Sequence, residues 1–146
     1  MRSLLLAVTL AAIAACGGDS TGPKANSDLS GKWNYSAANL NGGGLSCNIA
    51  GVTISLTQTG STFTGTTAGG TVTCVFGTQT ETDSLGIGSI ANGQVSGNSV
   101  QFDIGSSELH HTGTRSGNSV TGTLTATIDD GTSTVVLTGS FVLAKQ

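Results

Sequence analysis

Charge is scarce in this chain: only 9% of its 146 residues are Asp, Glu, Lys or Arg, and the five cations are scattered. Without a basic stripe or patch, nucleic acid is excluded as a partner. Aromatics are fewer still, with one Trp, one Tyr and four Phe, so any core is mainly aliphatic with single rings at chosen places. No apolar run reaches the roughly 20 residues of a lasting transmembrane helix, and no window carries helical periodicity. Three cysteines without neighbouring ligands at zinc-like spacing argue against a metal site, and no cofactor is expected. No Gly-x-Ser-x-Gly elbow occurs, and Gly42-Gly43-Gly44 has neither a lysine nor a following helix to make a phosphate cradle. The chain therefore does not read as an enzyme.

What is abundant is glycine and threonine, 23 of each. Threonine and valine favour strands, and so much glycine disfavours long helices. Two-residue turns punctuate the pattern at Gly60-Ser61, Gly97-Asn98, Gly117-Asn118 and Asp130-Gly131, matching the hairpin preference for positive φ. Strands are expected at 31–39, 47–58, 62–68, 71–78, 85–95, 99–105, 108–116, 119–128 and 132–144. If 62–78 is one bent strand, the last of these is the closing eighth. The expected fold is all-β: an antiparallel up-and-down meander of about eight strands, closed or nearly closed into a barrel, with a β-sandwich as the alternative.

Short turns fix register, so the pairing can be checked for consistency. Gly117-Asn118 sets Val120 opposite Arg115, Leu124 opposite His111 and Ala126 opposite Leu109. A turn at Ser106-Ser107 sets His111 opposite Phe102, and Gly97-Asn98 sets Val100 opposite Val95 and Phe102 opposite Gly93. Asp130-Gly131, as a two-residue turn, sets Ala126 opposite Val135 and Gly122 opposite Gly139, which would line up Gly113, Gly122 and Gly139. Such a row allows sharp bending or leaves room for a ring to lie across it. All these pairs keep apolar residues on one face and threonines on the other, as a sheet with one buried side requires. Gly60-Ser61 sets Gln58 opposite Phe63, Leu56 opposite Gly65 and Ile54 opposite Thr67, and extending that register sets Cys47 opposite Cys74, within disulfide reach. Strict alternation puts both sulfurs outside, unless a bulge at Gly51 or Gly69-Gly70 intervenes.

The N-terminus has its own signature. Met1 and Arg2 precede the apolar residues 4–16, which end in small side chains, the pattern of a secretory signal. The four residues Ile13-Ala14-Ala15-Cys16 resemble the lipobox of bacterial lipoproteins. The resemblance implies cleavage before Cys16, a thioether diacylglycerol and an acylated amine (palmitate-type chains) on that cysteine, and stable membrane residence through several acyl chains. With Gly17 and not aspartate next, it also implies delivery to the outer membrane, facing the periplasm or the surface. Residues 1–15 are then the signal peptide, 16–28 the lipidated cysteine and a polar tether, and 29–146 a single domain. The tether's dozen residues reach on the order of 20 Å. Removing the leader leaves Lys24, Lys32, Arg115 and Lys145 against eight acids, a formal charge of −4. Cys47 and Cys74 remain as an even pair in a disulfide-permissive compartment.

Gly31-Lys32-Trp33 on the first strand and Lys145 at the end of the last resemble the calycin arrangement of lipocalins and avidins. That resemblance implies that Trp33 closes the barrel base with Lys145 across its ring. Lipocalins usually carry Arg at the second position, and neither their Thr-Asp-Tyr motif nor avidin's aromatic walls has a counterpart, so no binding residue transfers.

Two functions stay open. In one, the interior holds a small apolar ligand, with Trp33, Tyr35, Phe63, Phe102, His111 and Leu124 as its contacts and Leu56, Leu137 and Phe141 beside them. In the other, the core is filled and the lipoprotein meets another envelope protein. His110 is expected outside, opposite Asp103 and near Glu108 and Thr125, as a surface histidine beside an acid or a weak metal site. His111 is expected inside, between Phe102 and Leu124. Glu81 and Asp83 are expected in a solvated loop or at a strand start.

Overall fold

The computed structural model describes residues 28–105, 109–129 and 131–146. The expected signal peptide, Cys16 and the expected tether as far as residue 27, together with the expected Ser106-Ser107 turn, Glu108 and Asp130, lie outside them. Ten strands follow one another: β1 (Gly31–Gly42), β2 (Leu45–Thr59), β3 (Thr62–Ala68), β4 (Thr71–Phe76), β5 (Gln79–Ser84), β6 (Gly88–Ser96), β7 (Ser99–Ile104), β8 (Leu109–Ser116), β9 (Ser119–Asp129) and β10 (Thr134–Lys145). All pairs are antiparallel, and β1 bonds to both β10 and β2. The circuit β1-β10-β9-β8-β7-β6-β3-β2 therefore closes as an eight-stranded barrel. β4 and β5 form an additional hairpin outside the circuit, carried on the first half of β2.

The hairpin exists because the sheet divides at a glycine cluster. β2 pairs with β3 through Thr53–Thr59 and with β4 through Leu45–Ala50, in one unbroken register. At the junction Gly51, Gly69 and Gly70 all have positive φ, where a side chain is strained. A Cβ on Gly70 would also collide with Val52. With irregularity on both strands, register is kept while alternation inverts. Val52, Ile54 and Leu56 point inward on one side of the junction, Cys47 and Ile49 on the other. Cys47 does face Cys74 and is bonded to it, with an S–S distance of 2.05 Å and Cα atoms 4.1 Å apart. Strict alternation nevertheless misplaces it, for Cys47 is buried in the core.

Registers at Gly60-Ser61 and Gly117-Asn118, and between β7 and β8, are as the turns dictate. At Gly97-Asn98 the pair Val100–Val95 forms, but a bulge at Asn92-Gly93, with Asn92 at φ 51°, takes the place of a Phe102–Gly93 pair. The last hairpin differs by two residues. Ala126 faces Leu137 and Gly122 faces Phe141, because β9 runs to Asp129 and four residues connect it to β10. Asp129 Oδ1 accepts the Gly131 N–H at 2.8 Å, an Asx-type turn within this longer link. The glycine row is thus Gly113 and Gly122 beside Phe141. The Phe141 ring lies over it: its Cζ would stand 2.9 Å from a Cβ on Gly113. Residues 79–84, expected as loop with a strand start, form all of β5, since pairing with β4 supplies backbone bonds that a polar pattern cannot announce.

Candidate functional site

Antiparallel order assigns the barrel two ends. The base collects residue 28, the starts of β1, β3, β7 and β9, and the chain end after Lys145. The opposite end collects the start of β6, the end of β7 and the start of β8. Trp33 closes the base and is fully buried. Its Nε1–H donates to Leu29 O at 2.8 Å, and Lys145 Nζ stands 5.5 Å from the ring centroid. Arg115 Cζ stands 5.8 Å from the same ring while its Nη1 donates to Asp28 O at 2.8 Å. Arg115 went unassigned in sequence reasoning, although its register put a cation at an inward position on a strand end. Leu29 N–H donates to Gln58 Oε1 at 2.7 Å, so the segment before β1 seals the base.

The middle of the barrel is filled by rings. His111 stacks on Phe102 with centroids 4.3 Å apart, and Phe141 meets it edge-on at 5.0 Å. Phe63 and Tyr35 complete the cluster. His111 Nδ1 lies 3.1 Å from Leu109 O, which can only accept, so Nδ1 carries the proton. Nε2 then accepts from Tyr35 Oη at 2.9 Å. Burial pushes the imidazole down to about 4 from an ordinary 6.5, against smaller upward effects of the Leu109 and Phe102 backbone. Burial likewise pushes the Tyr35 phenol up. Between pH 4 and 6.5 only the unfolded imidazole takes up a proton, so stability is full above pH 6.5 and falls as pH drops toward 4. Urea unfolding at pH 7.5 and 4.5 should show the parent losing about 2–3 kcal/mol more than His111→Gln. Equal losses would show that His111 is protonated in the fold.

At the end opposite Trp33 a half-open cavity of about 280 Å³ is lined by Tyr35, Ile49, Val52, Thr67, Ile104, Leu109 and the segment 84–88. Of its polar side groups, Tyr35 bonds His111 and Thr67 Oγ1 accepts Gly88 N–H at 2.8 Å, while Ser84 stands exposed at the rim. Ile87 stands on the rim 87% exposed. Of the six residues named from sequence as ligand contacts, Tyr35 reaches this cavity. Trp33, Phe63, Phe102, His111 and Leu124 are packed beneath it. Within the rim segment 84–88, residues 85–87 were expected to open a strand, but β6 begins at Gly88 and they form the link that borders the cavity.

On the outer wall, His110 Nδ1 and Asp103 Oδ1 are 2.7 Å apart, as register required, and Asn92 Nδ2 donates to Asp103 Oδ2 at 2.6 Å. Burial raises the Asp103 carboxyl, but the Asn92 and His110 hydrogen bonds outweigh it and hold the group below its ordinary range. Among the described residues no group of three or more His, Cys, Asp or Glu side chains gathers as metal ligands do.

No protein family, curated protein or solved structure matches this chain.

Proposed function

We propose that this chain is a lipid-anchored lipoprotein of the bacterial outer membrane, whose barrel holds a small apolar ligand at its open end. The anchor reading rests on Ile13-Ala14-Ala15-Cys16 and the signal pattern before it. The calycin reading is supported by Lys145 lying over Trp33 at the base. The observation that carries the binding reading is the cavity bounded by Ile49, Val52, Ile104 and Leu109, whose volume suits a single chain or ring. A second reading, an envelope protein that meets another protein and carries no ligand, is favoured by the ring cluster that fills the barrel's middle.

The test has two readouts on the full chain. Cys16→Ser should move the protein from the membrane to the soluble fraction; unchanged fractionation would refute the anchor. The neutral fluorophore N-phenyl-1-naphthylamine should bind the parent saturably, and Leu109→Trp, which fills the cavity, should weaken it at least tenfold. No saturable binding to the parent would leave the second reading standing.

A further inference from the structure

Charge is separated along the barrel. The described lysine and arginine residues, Lys32, Arg115 and Lys145, all lie at the base, two of them around Trp33. The cavity end has acids instead. Ile49, which lines the cavity, pairs with Val72, and Val72 pairs with Asp83. One row further out, Cys47 pairs with Cys74 and Cys74 with Glu81. Directly paired residues share a face of the sheet. Each row therefore runs from the barrel interior, across an apolar or disulfide step, to an exposed carboxylate side chain. Val72 and Cys74 are half-buried against the core, so the β4–β5 hairpin is an apolar shelf leaving the cavity with acids at its edge.

The inner cavity wall has little to offer a polar head, since Tyr35 and Thr67 are engaged within the protein and the remaining hydroxyl, Ser84, is neutral and lies exposed at the rim. A hydrocarbon chain seated there must leave its head group at the rim, and across two strand spacings, about 10 Å, that head meets Asp83 and Glu81. We infer that the ligand of this cavity is an apolar chain bearing a positively charged amine, and that fatty carboxylates are discriminated against. The inference rests on the binding reading above. Two acids at this distance attract a cation and repel an anion through mostly aqueous surroundings, which separates the two by roughly tenfold at low salt.

Displacement of N-phenyl-1-naphthylamine from the native protein by decylamine, decanol and decanoate, at pH 7 and low ionic strength, tests it. Decylamine should displace the probe at about one-tenth the concentration that decanoate requires, with decanol between them. The double variant Glu81→Gln, Asp83→Asn should draw the three together, as should added salt. Decanoate displacing as well as decylamine, or a ratio unchanged in the double variant, overturns the charge preference while leaving the cavity reading intact. Failure of all three to displace the probe, decanol included, overturns the cavity reading and this inference with it.

Discussion

Replacing Trp33 by alanine is expected to destabilise the barrel by about 3–5 kcal/mol, the range for truncating a large buried ring. The side chain is fully buried, and its removal opens the base on three sides. Lys145 and Arg115 lose the ring face beneath them, and the Leu29 carbonyl loses its donor. Trp33→Phe retains an aromatic face but removes the Nε1–H donor and part of the indole's buried volume, so it should lose about 1–3 kcal/mol for the unsatisfied carbonyl and a further packing loss, short of the alanine variant. Lys145→Met should lose about 0.5–2 kcal/mol, the range for a cation over a ring. Urea unfolding followed by circular dichroism ranks the three, fluorescence being unsuitable because Trp33 is the chain's single tryptophan. A loss below about 1 kcal/mol for Trp33→Ala would mean that the base is sealed by Leu29 and its neighbours without the indole.

Removing the Cys47–Cys74 bridge by the double alanine variant should lose about 3.5 kcal/mol. The bridge spans 27 residues, and a loop of that size lies between the calibrating cases of about 3 and about 4.7 kcal/mol. Its position predicts where the loss is felt first. The bond ties β2, a barrel strand, to β4, the inner strand of a hairpin whose far edge is unpaired in the sheet order. Without it the hairpin should open locally before the barrel unfolds. A glutamyl endopeptidase should then cut after Glu81 faster in the variant than in the parent. Equal cleavage rates with a lowered urea midpoint would place the effect in the unfolded chain alone.

Turn residues made much of the barrel legible. Gly60-Ser61 and Gly117-Asn118 fix their hairpins because two-residue links admit one register, and from the first of them the Cys47–Cys74 pair follows along the length of β2. The failures have local causes. The last link is four residues long and carries an Asx turn at Asp129, and nothing in Asp130-Gly131 alone distinguishes that from a tight hairpin. Gly51 and Gly69-Gly70 were visible as irregular, but only their opposition across two strands shows that they invert the facing of Cys47 without shifting the register. The cavity was the least legible part. Inward-facing rings such as Phe102 and His111 suggested contacts for a ligand, yet they stack on one another and fill the space. The open volume instead lies where β7, β8 and the link before β6 meet, and the strand expected from residue 85 concealed that link.

The seam between β1 and β10 sets an order of events. Gln146 Nε2 reaches Asn34 Oδ1 across 112 residues of sequence, and Trp33 lies beside Lys145 in the same ladder. A growing chain therefore has no partner for one side of its first strand until its last strand arrives. Joining such distant segments carries the largest loop-closure entropy in the fold and places barrel formation on the millisecond-to-second scale of non-local β topologies, roughly. Until then the edge of β1 and the indole stay open to solvent, so the final dozen residues act as the latch that turns a sticky ribbon into a finished molecule.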